Sequence, residues 1–267
     1  MTDATVRHDH LNDHLSASEF TLAAYNAHWG VARRGVRSGA RFDVAEIVRG
    51  FDADVVVVPE AWRDLSGRGF LDELVDDGYR IEVLPFVTYR HGVREPSRGH
   101  PGEGVWELAL CSRLPILARW TIPIGSIRHD PASPRFALAC TIDVNGSEVD
   151  IVGVHVSSRL WTFAPLRHLN ALRPQLPPPD RLAVLAGDCN FWGPGVVSVL
   201  PGWRRAFRGR TFPAVHPHSH IDHVLVRDNV SVVWGEVLGE TPSDHRPVRA
   251  RLRVAPLSLP GNIEPVG

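Results

Sequence analysis

The chain has 267 residues, 43% of them hydrophobic and 22% charged, with a formal net charge of -1 at neutral pH. That size and apolar content exclude a disordered chain and imply one large core or two small ones. The near-zero charge excludes strong whole-molecule attraction to nucleic acid, though not a local basic patch.

All 29 basic residues are arginine, so no lysine serves as nucleophile or phosphate ligand. A GC-rich genome accounts for such a bias first, and phosphate recognition by arginine's planar fork second. Cys111, Cys140 and Cys189 have neither finger nor disulfide spacing, which suits buried free thiols and a cytoplasmic, reducing compartment. No run reaches the length of a membrane-spanning helix, and no membrane insertion or obligate protein partner is expected.

Residues 1–18 are polar and histidine-rich, lack the apolar stretch of a signal peptide, and read as a flexible arm. Strands are expected at 20–26, 54–58, 80–86, 105–111, 116–124, 136–144, 149–155, 182–187, 221–227, 230–238 and 247–254, where Val, Ile, Leu and Phe concentrate. Helices are expected at 39–50, 67–77, 162–173 and 193–200. Asn145-Gly146 marks a hairpin. Residues 87–104 lack periodicity and read as a long surface loop. The mixed order of strands and helices suggests two packed sheets with helices outside. Residues 19–256 read as one domain, followed by a tail over 257–267.

Polar signatures end several apolar runs: Tyr25-Asn26, Pro59-Glu60, Gly187-Asp188-Cys189-Asn190 and Ser243-Asp244-His245. Loops after strands aim side chains from a rigid scaffold. Carboxylates and carboxamides converging there suit a hard divalent cation such as magnesium. Asp188 and Asn190 lie two apart, so an extended stretch would point both the same way. The competing reading is an ordinary strand-end turn. In Ser243-Asp244-His245, the acid can bind a metal or its water while the imidazole handles a proton. Asp222 interrupts an apolar strand and needs a partner if buried; pairing with His245 would orient that ring. His223, on the alternate face, reads as a structural histidine.

The ordered set LAAYNAHWG, VVVVPEAW, ELALCSRLPI, VGVHVSSR, LAGDCNFW, SHIDHVLV and SDHRPV resembles the endonuclease/exonuclease/phosphatase superfamily over nearly the whole chain, residues 20–254. The resemblance implies a DNase I-like α/β (α+β) fold, a four-layer αββα sandwich with two central mixed β-sheets flanked by helices. It implies catalytic roles for His155, Asp188, Asn190, Asp222 and His245. It implies a metal site at Asn26, Glu60 and Asp244, holding Mg²⁺ or Mn²⁺ in a number the residues do not fix. His155 matches the position that contacts the scissile phosphate, and Arg135 a position where the family often has a basic residue. Cys189 stands where the family usually has a hydrophobic residue, and HVSSR replaces the commoner His-Leu ending.

Trp29, Trp62, Trp161 and Trp192 each follow a site segment and suggest an aromatic wall; Trp29, Trp161 and Trp192, with Arg135, are the expected substrate-binding residues. Core plugging is the equal alternative for each ring. Arginine groups at 33–41, 90–98 and 204–210 could hold a polyanion or merely form a solvated surface. The expected function is a divalent-metal-dependent phosphodiesterase or nuclease, with DNA or RNA among the candidate substrates. The alternatives are a phosphatase or phosphodiesterase of a small-molecule or lipid phosphoester, and a non-catalytic binding protein on the same fold.

Overall fold

A computed structural model describes residues 17–33, 40–90, 102–160 and 163–255. Among the described residues, twelve strands form two six-stranded sheets. The first contains β1 (Ser18–Ala24), β2 (Val55–Arg63), β3 (Arg80–Tyr89), β4 (Gly104–Ser112), β11 (Val230–Val237) and β12 (Val248–Val254), in the order β11-β12-β1-β2-β4-β3. The second contains β5 (Ile116–Gly125), β6 (Arg135–Val144), β7 (Ser147–His155), β8 (Leu182–Asp188), β9 (Trp203–Arg205) and β10 (Asp222–Arg227), in the order β5-β6-β7-β8-β10-β9. Each sheet has one parallel pair at its centre, β1 with β2 and β7 with β8, and antiparallel neighbours outside it.

Alternation explains the layers. Phe20, Leu22 and Ala24 of β1, and Val55 and Val57 of β2, enter the core between the sheets with Ile151, Val184, Ala186, Val224 and Ala250. The intervening Ala23, Val56 and Val58 face outward and meet Val44 and Val48 of α1 (Val44–Arg49). On the other sheet Val152, Val154 and Leu185 face outward against Leu169 and Leu172 of α2 (Ala164–Leu172) and Val196 of α3 (Gly193–Val199). Strands buried on both faces read as continuous apolar runs, as in VVVV at 55–58. The result is the expected four-layer sandwich, with thin helical layers.

Several expectations need correcting. The helix expected at 39–50 begins only at Val44, because Asp43 caps it by accepting from Glu46 N at 2.9 Å. Its expected first turn instead pairs as backbone with 30–32, through Ala32 N to Ala40 O and Phe42 N to Gly30 O. The helix expected at 67–77 shrinks to a 3-10 turn, Asp72–Val75, with Asp72 accepting from Gly69 N at 2.7 Å. Trp203–Arg205, read as part of an arginine cluster, is strand β9. The surface loop expected at 87–104 is strand at both ends, to Tyr89 and from Gly104; residues 91–101 lie outside the described residues. So do the tail and all of the N-terminal arm but its last two residues, of which Ser18 opens β1. The Asn145-Gly146 hairpin is present, with both residues at positive φ (51° and 86°) and Val144 paired to Ser147. Among the described residues no helix is long and apolar enough to cross a membrane.

Candidate active site

The inner-face alternation carries polar residues to one edge of the core. On β7 the inward series Val149, Ile151 ends at His155; on β8 the series Leu182, Val184, Ala186 ends at Asp188. Asn26 continues the inward set of β1 two residues past Ala24. His155 and Asp188 end their parallel strands and Asn26 lies two residues past the end of its own. β10 runs antiparallel to β8, so its first residue, Asp222, lies opposite Asp188 at the same edge. β12 runs antiparallel to β1, which brings the preceding Ser243-Asp244-His245 there too. One edge therefore collects all eight expected catalytic and metal-site residues.

Glu60 reaches that edge by a different route. It sits in a bulge of β2, where pairing shifts between Val58 and Ala61, with φ at +56°. Such a conformation costs a non-glycine residue about 1–3 kcal/mol and persists only where its surroundings fix it. Asn190 is also left-handed, at φ +44°, so it does not share an extended stretch with Asp188 as expected. Its backbone N donates to Asp188 Oδ1 at 2.8 Å. Its Nδ2 donates to Asp188 Oδ2 at 3.1 Å and to Val156 O at 2.9 Å.

The carboxylates crowd together. Asn26 Nδ2 bridges Glu60 Oε1 at 3.4 Å and Asp188 Oδ2 at 3.1 Å, while its Oδ1 accepts from His28 N at 3.1 Å. His155 Nε2 lies 3.6 Å from Glu60 Oε1 and 3.8 Å from Asp188 Oδ2. His245 Nδ1 meets both oxygens of Asp222, at 3.1 and 2.9 Å, and its Nε2 lies 3.9 Å from Asp188 and 4.0 Å from Asp244. Phe212 packs on this ring, centroids 4.8 Å apart.

Burial and the Asp222 charge push the Asp188 carboxyl up to about 7. Burial and the charge of Asp244 raise Glu60. Burial holds His155 well below the usual histidine value, with help from Arg135 and the His245 cation, so this ring is neutral. Burial opposes the charge on His245 as well, but the Asp222 charge and hydrogen bond outweigh it and raise His245 to about 10.

Among the described residues, Asp244 Oδ1 is buried without a hydrogen-bond partner. A buried acidic oxygen that accepts no hydrogen bond, beside further carboxylates, fits a cation. Glu60 and Asp244 would be the oxygen donors to offer it; Asn26 turns its amide nitrogen toward the carboxylates and its oxygen toward His28. Ligand atoms of Asp188, Asp222 and His245 lie within 4.8 Å of one another. That trio suits proton handling better, because Asp222 occupies Nδ1 and a protonated imidazole has no lone pair for a metal. An open pocket lined by Arg41, Asp64, Arg68 and Glu73 holds none of these residues.

The expected substrate-binding residues separate. Arg135 is buried, and its three nitrogens donate to Asp130 (2.7 and 3.2 Å) and to His155 O (2.8 Å), which places it behind His155. Trp192 is 65% exposed, two residues past Asn190. Trp29 is half-buried, stacked on His28 and edge-on to Trp106. Trp62 plugs the core, and Trp161 lies outside the described residues. Asp130, Trp106 and Phe212 carry no sequence signal, because their parts come from packing across strands.

A family model described as "Endonuclease/Exonuclease/phosphatase family" matches residues 23–245. The chain belongs to the endonuclease/exonuclease/phosphatase family. Members of this family are in general phosphoester hydrolases, which places the chain among phosphoesterases. The fold is similar to an endonuclease/exonuclease/phosphatase from Beutenbergia cavernae DSM 12333, with 22% identity, TM-score 0.70, and 89% of this chain and 72% of that one covered. It is similar to a mannosyl-6-phosphatase from Bacteroides thetaiotaomicron VPI-5482, with 18% identity, TM-score 0.64, and 87% and 99% covered. It is also similar to the human Nocturnin catalytic domain with bound sulfate, with 13% identity, TM-score 0.63, and 88% and 93% covered. No curated protein matches the sequence significantly.

Proposed function

We infer that the protein is a divalent-cation-dependent phosphodiesterase of the nuclease type. The observation that carries this reading is the juxtaposition of Glu60, Asp188 and Asp244, whose buried Oδ1 accepts no hydrogen bond, with the Asp222–His245 pair at one edge of both sheets. Phosphoester hydrolysis needs an in-line water, neutralised phosphoryl oxygens and help for the leaving group. A bound Mg²⁺ or Mn²⁺ supplies charge neutralisation. Asp188, held by Asn26 and Asn190, orients and deprotonates the water. Asp222 keeps His245 protonated on Nδ1, leaving Nε2–H to donate to a phosphoryl or leaving oxygen. His155 donates as a neutral imidazole.

A second reading, a small-molecule or lipid phosphoester, draws support from where the arginines point. Arg33, Arg135 and Arg204 direct donors to backbone carbonyls rather than outward, which weakens a polyanion track. The named relatives span a sugar phosphatase and Nocturnin, so likeness alone does not choose. Hydrolysis of bis-p-nitrophenyl phosphate should appear with Mg²⁺ or Mn²⁺ and vanish with EDTA. His245→Ala should remain folded and lose about 10²–10⁴-fold in rate; a fully active variant removes the proton-transfer role. A panel of DNA, RNA, nucleotides and phospholipids then separates the two readings, and binding that weakens steeply with salt favours nucleic acid.

A further inference from the structure

Asp244 and His245 stand on residues 238–247, a stretch without helix or strand. Regular backbone pairing therefore does not fix their position. On one side Asp244 O accepts from Ala214 N at 2.7 Å and Arg246 N donates to Thr211 O at 2.8 Å; on the other, the contacts lead to a residue outside the reacting group. Arg33 is 11% exposed in its side chain and follows the Asn26 loop. Its backbone N donates to Pro242 O at 2.9 Å. Its Nη1 donates to Thr241 O and, at 3.0 Å, to Ser243 O; its Nη2 donates to Glu240 Oε2 at 2.8 Å. One side chain thus binds Glu240, Thr241 and Ser243 of the loop before Asp244.

The return link runs through Ser243, which is fully buried. Its Oγ donates to Asn26 O at 2.7 Å and accepts from His245 N at 3.2 Å. Tyr25 Oη adds a bond to Thr241 Oγ1 at 3.0 Å. The first loop, with Asn26, and the last loop, with Asp244 and His245, are therefore cross-braced at both ends.

We propose that Arg33 is a positioning residue that sets the distance between the Glu60–Asn26 side of the cleft and the Asp244–His245 side. It touches none of the reacting groups. It acts by holding the Thr241 and Ser243 carbonyls, so that His245 meets Asp222 and Asp244 faces Glu60. The planar fork matters, because one cation must reach two carbonyls and a carboxylate at once. The proposal rests on His245 and Asp244 being the working groups of the site.

The test compares Arg33→Ala and Arg33→Lys with the parent protein. Two readouts are used: kcat and KM for bis-p-nitrophenyl phosphate with Mn²⁺, and the hydrogen-bonded His245 Nδ1–H resonance in proton NMR of the metal-free protein. Arg33→Ala is expected to lose about 10–100-fold in kcat, since a misplacement of about 1 Å can cost 10²-fold, with KM changed less than about threefold. Its His245 proton should broaden by exchange well below the melting temperature, and Arg33→Lys should recover part of both signals. A merely structural role would lower the melting temperature while leaving kcat and the resonance of the folded protein unchanged, and that result overturns the proposal. If Arg33→Ala does not fold, Arg33→Gln decides, and parental kcat with a sharp proton in it likewise overturns the proposal. A parent protein without phosphodiesterase activity would fail the functional reading, while the resonance comparison would still test the brace.

Discussion

His168 shows how a buried ring turns into pH dependence. Its Nδ1 accepts from Ser157 N at 3.3 Å, so it must be neutral, and burial lowers it to about 4. His220 and His223, stacked with centroids 4.5 Å apart, are lowered by burial to about 4 and about 3. In the unfolded chain each protonates near 6.5, so unfolding takes up protons between there and the folded values. Stability from each is present above about 6.5 and is lost as pH falls toward 4. Asp188 and Glu60 act in the opposite sense, because their raised values let the folded state hold protons that the unfolded chain has released. A difference measurement isolates one histidine. The stability advantage of the parent over His168→Gln should shrink as pH drops from 7 to 4.5 in urea titrations; a constant advantage contradicts the assignment. Residue identity was legible for the Asp222–His245 pair, since an acid in the run IDHVLV had to find a cation. The left-handed backbone of Glu60 was not, because glutamate carries no preference for it.

At the scale of elements, the approach of β7 and β8 decides where His155 and Asp188 end. Their parallel pairing places Val154 against Gly187 and His155 against Asp188. Gly187 has φ +128°, and a Cβ there would lie 2.2 Å from Val154 O. Neither the dihedral nor the space admits another residue. Gly187→Ala should therefore push the two strand ends apart and cost about 2–4 kcal/mol. Chemical denaturation would measure the loss, and a variant of parental stability would contradict this packing. The strands were readable because apolar runs with period-two burial leave little choice. The helices were less so: the apolar face over 40–48 fitted a helix, but backbone pairing of 40–42 with 30–32 won over that local pattern. β9 was hidden because Trp203-Arg204-Arg205 has no alternation long enough to read.

For the whole molecule, function follows from two sheets meeting at one polar edge. Each sheet contributes a central parallel pair, and the strands beside those pairs run the other way, so strand ends and strand starts coincide there. The spacing of GDCN and SDH along the chain could not show this; the shared edge appears only when both sheets stack. Close approach of the sheets is itself sequence-dependent, for a Cβ at Gly153 would lie 3.2 Å from Val57 Cγ1. The interior thus ends in carboxylates, which are costly to bury unless a cation joins them. Calorimetric titration of the EDTA-stripped protein with Mn²⁺, alongside Glu60→Gln, addresses that point directly. Saturable binding is expected in the parent, weakened at least about tenfold in the variant. Absence of binding by the parent, or equal binding by both, would contradict it.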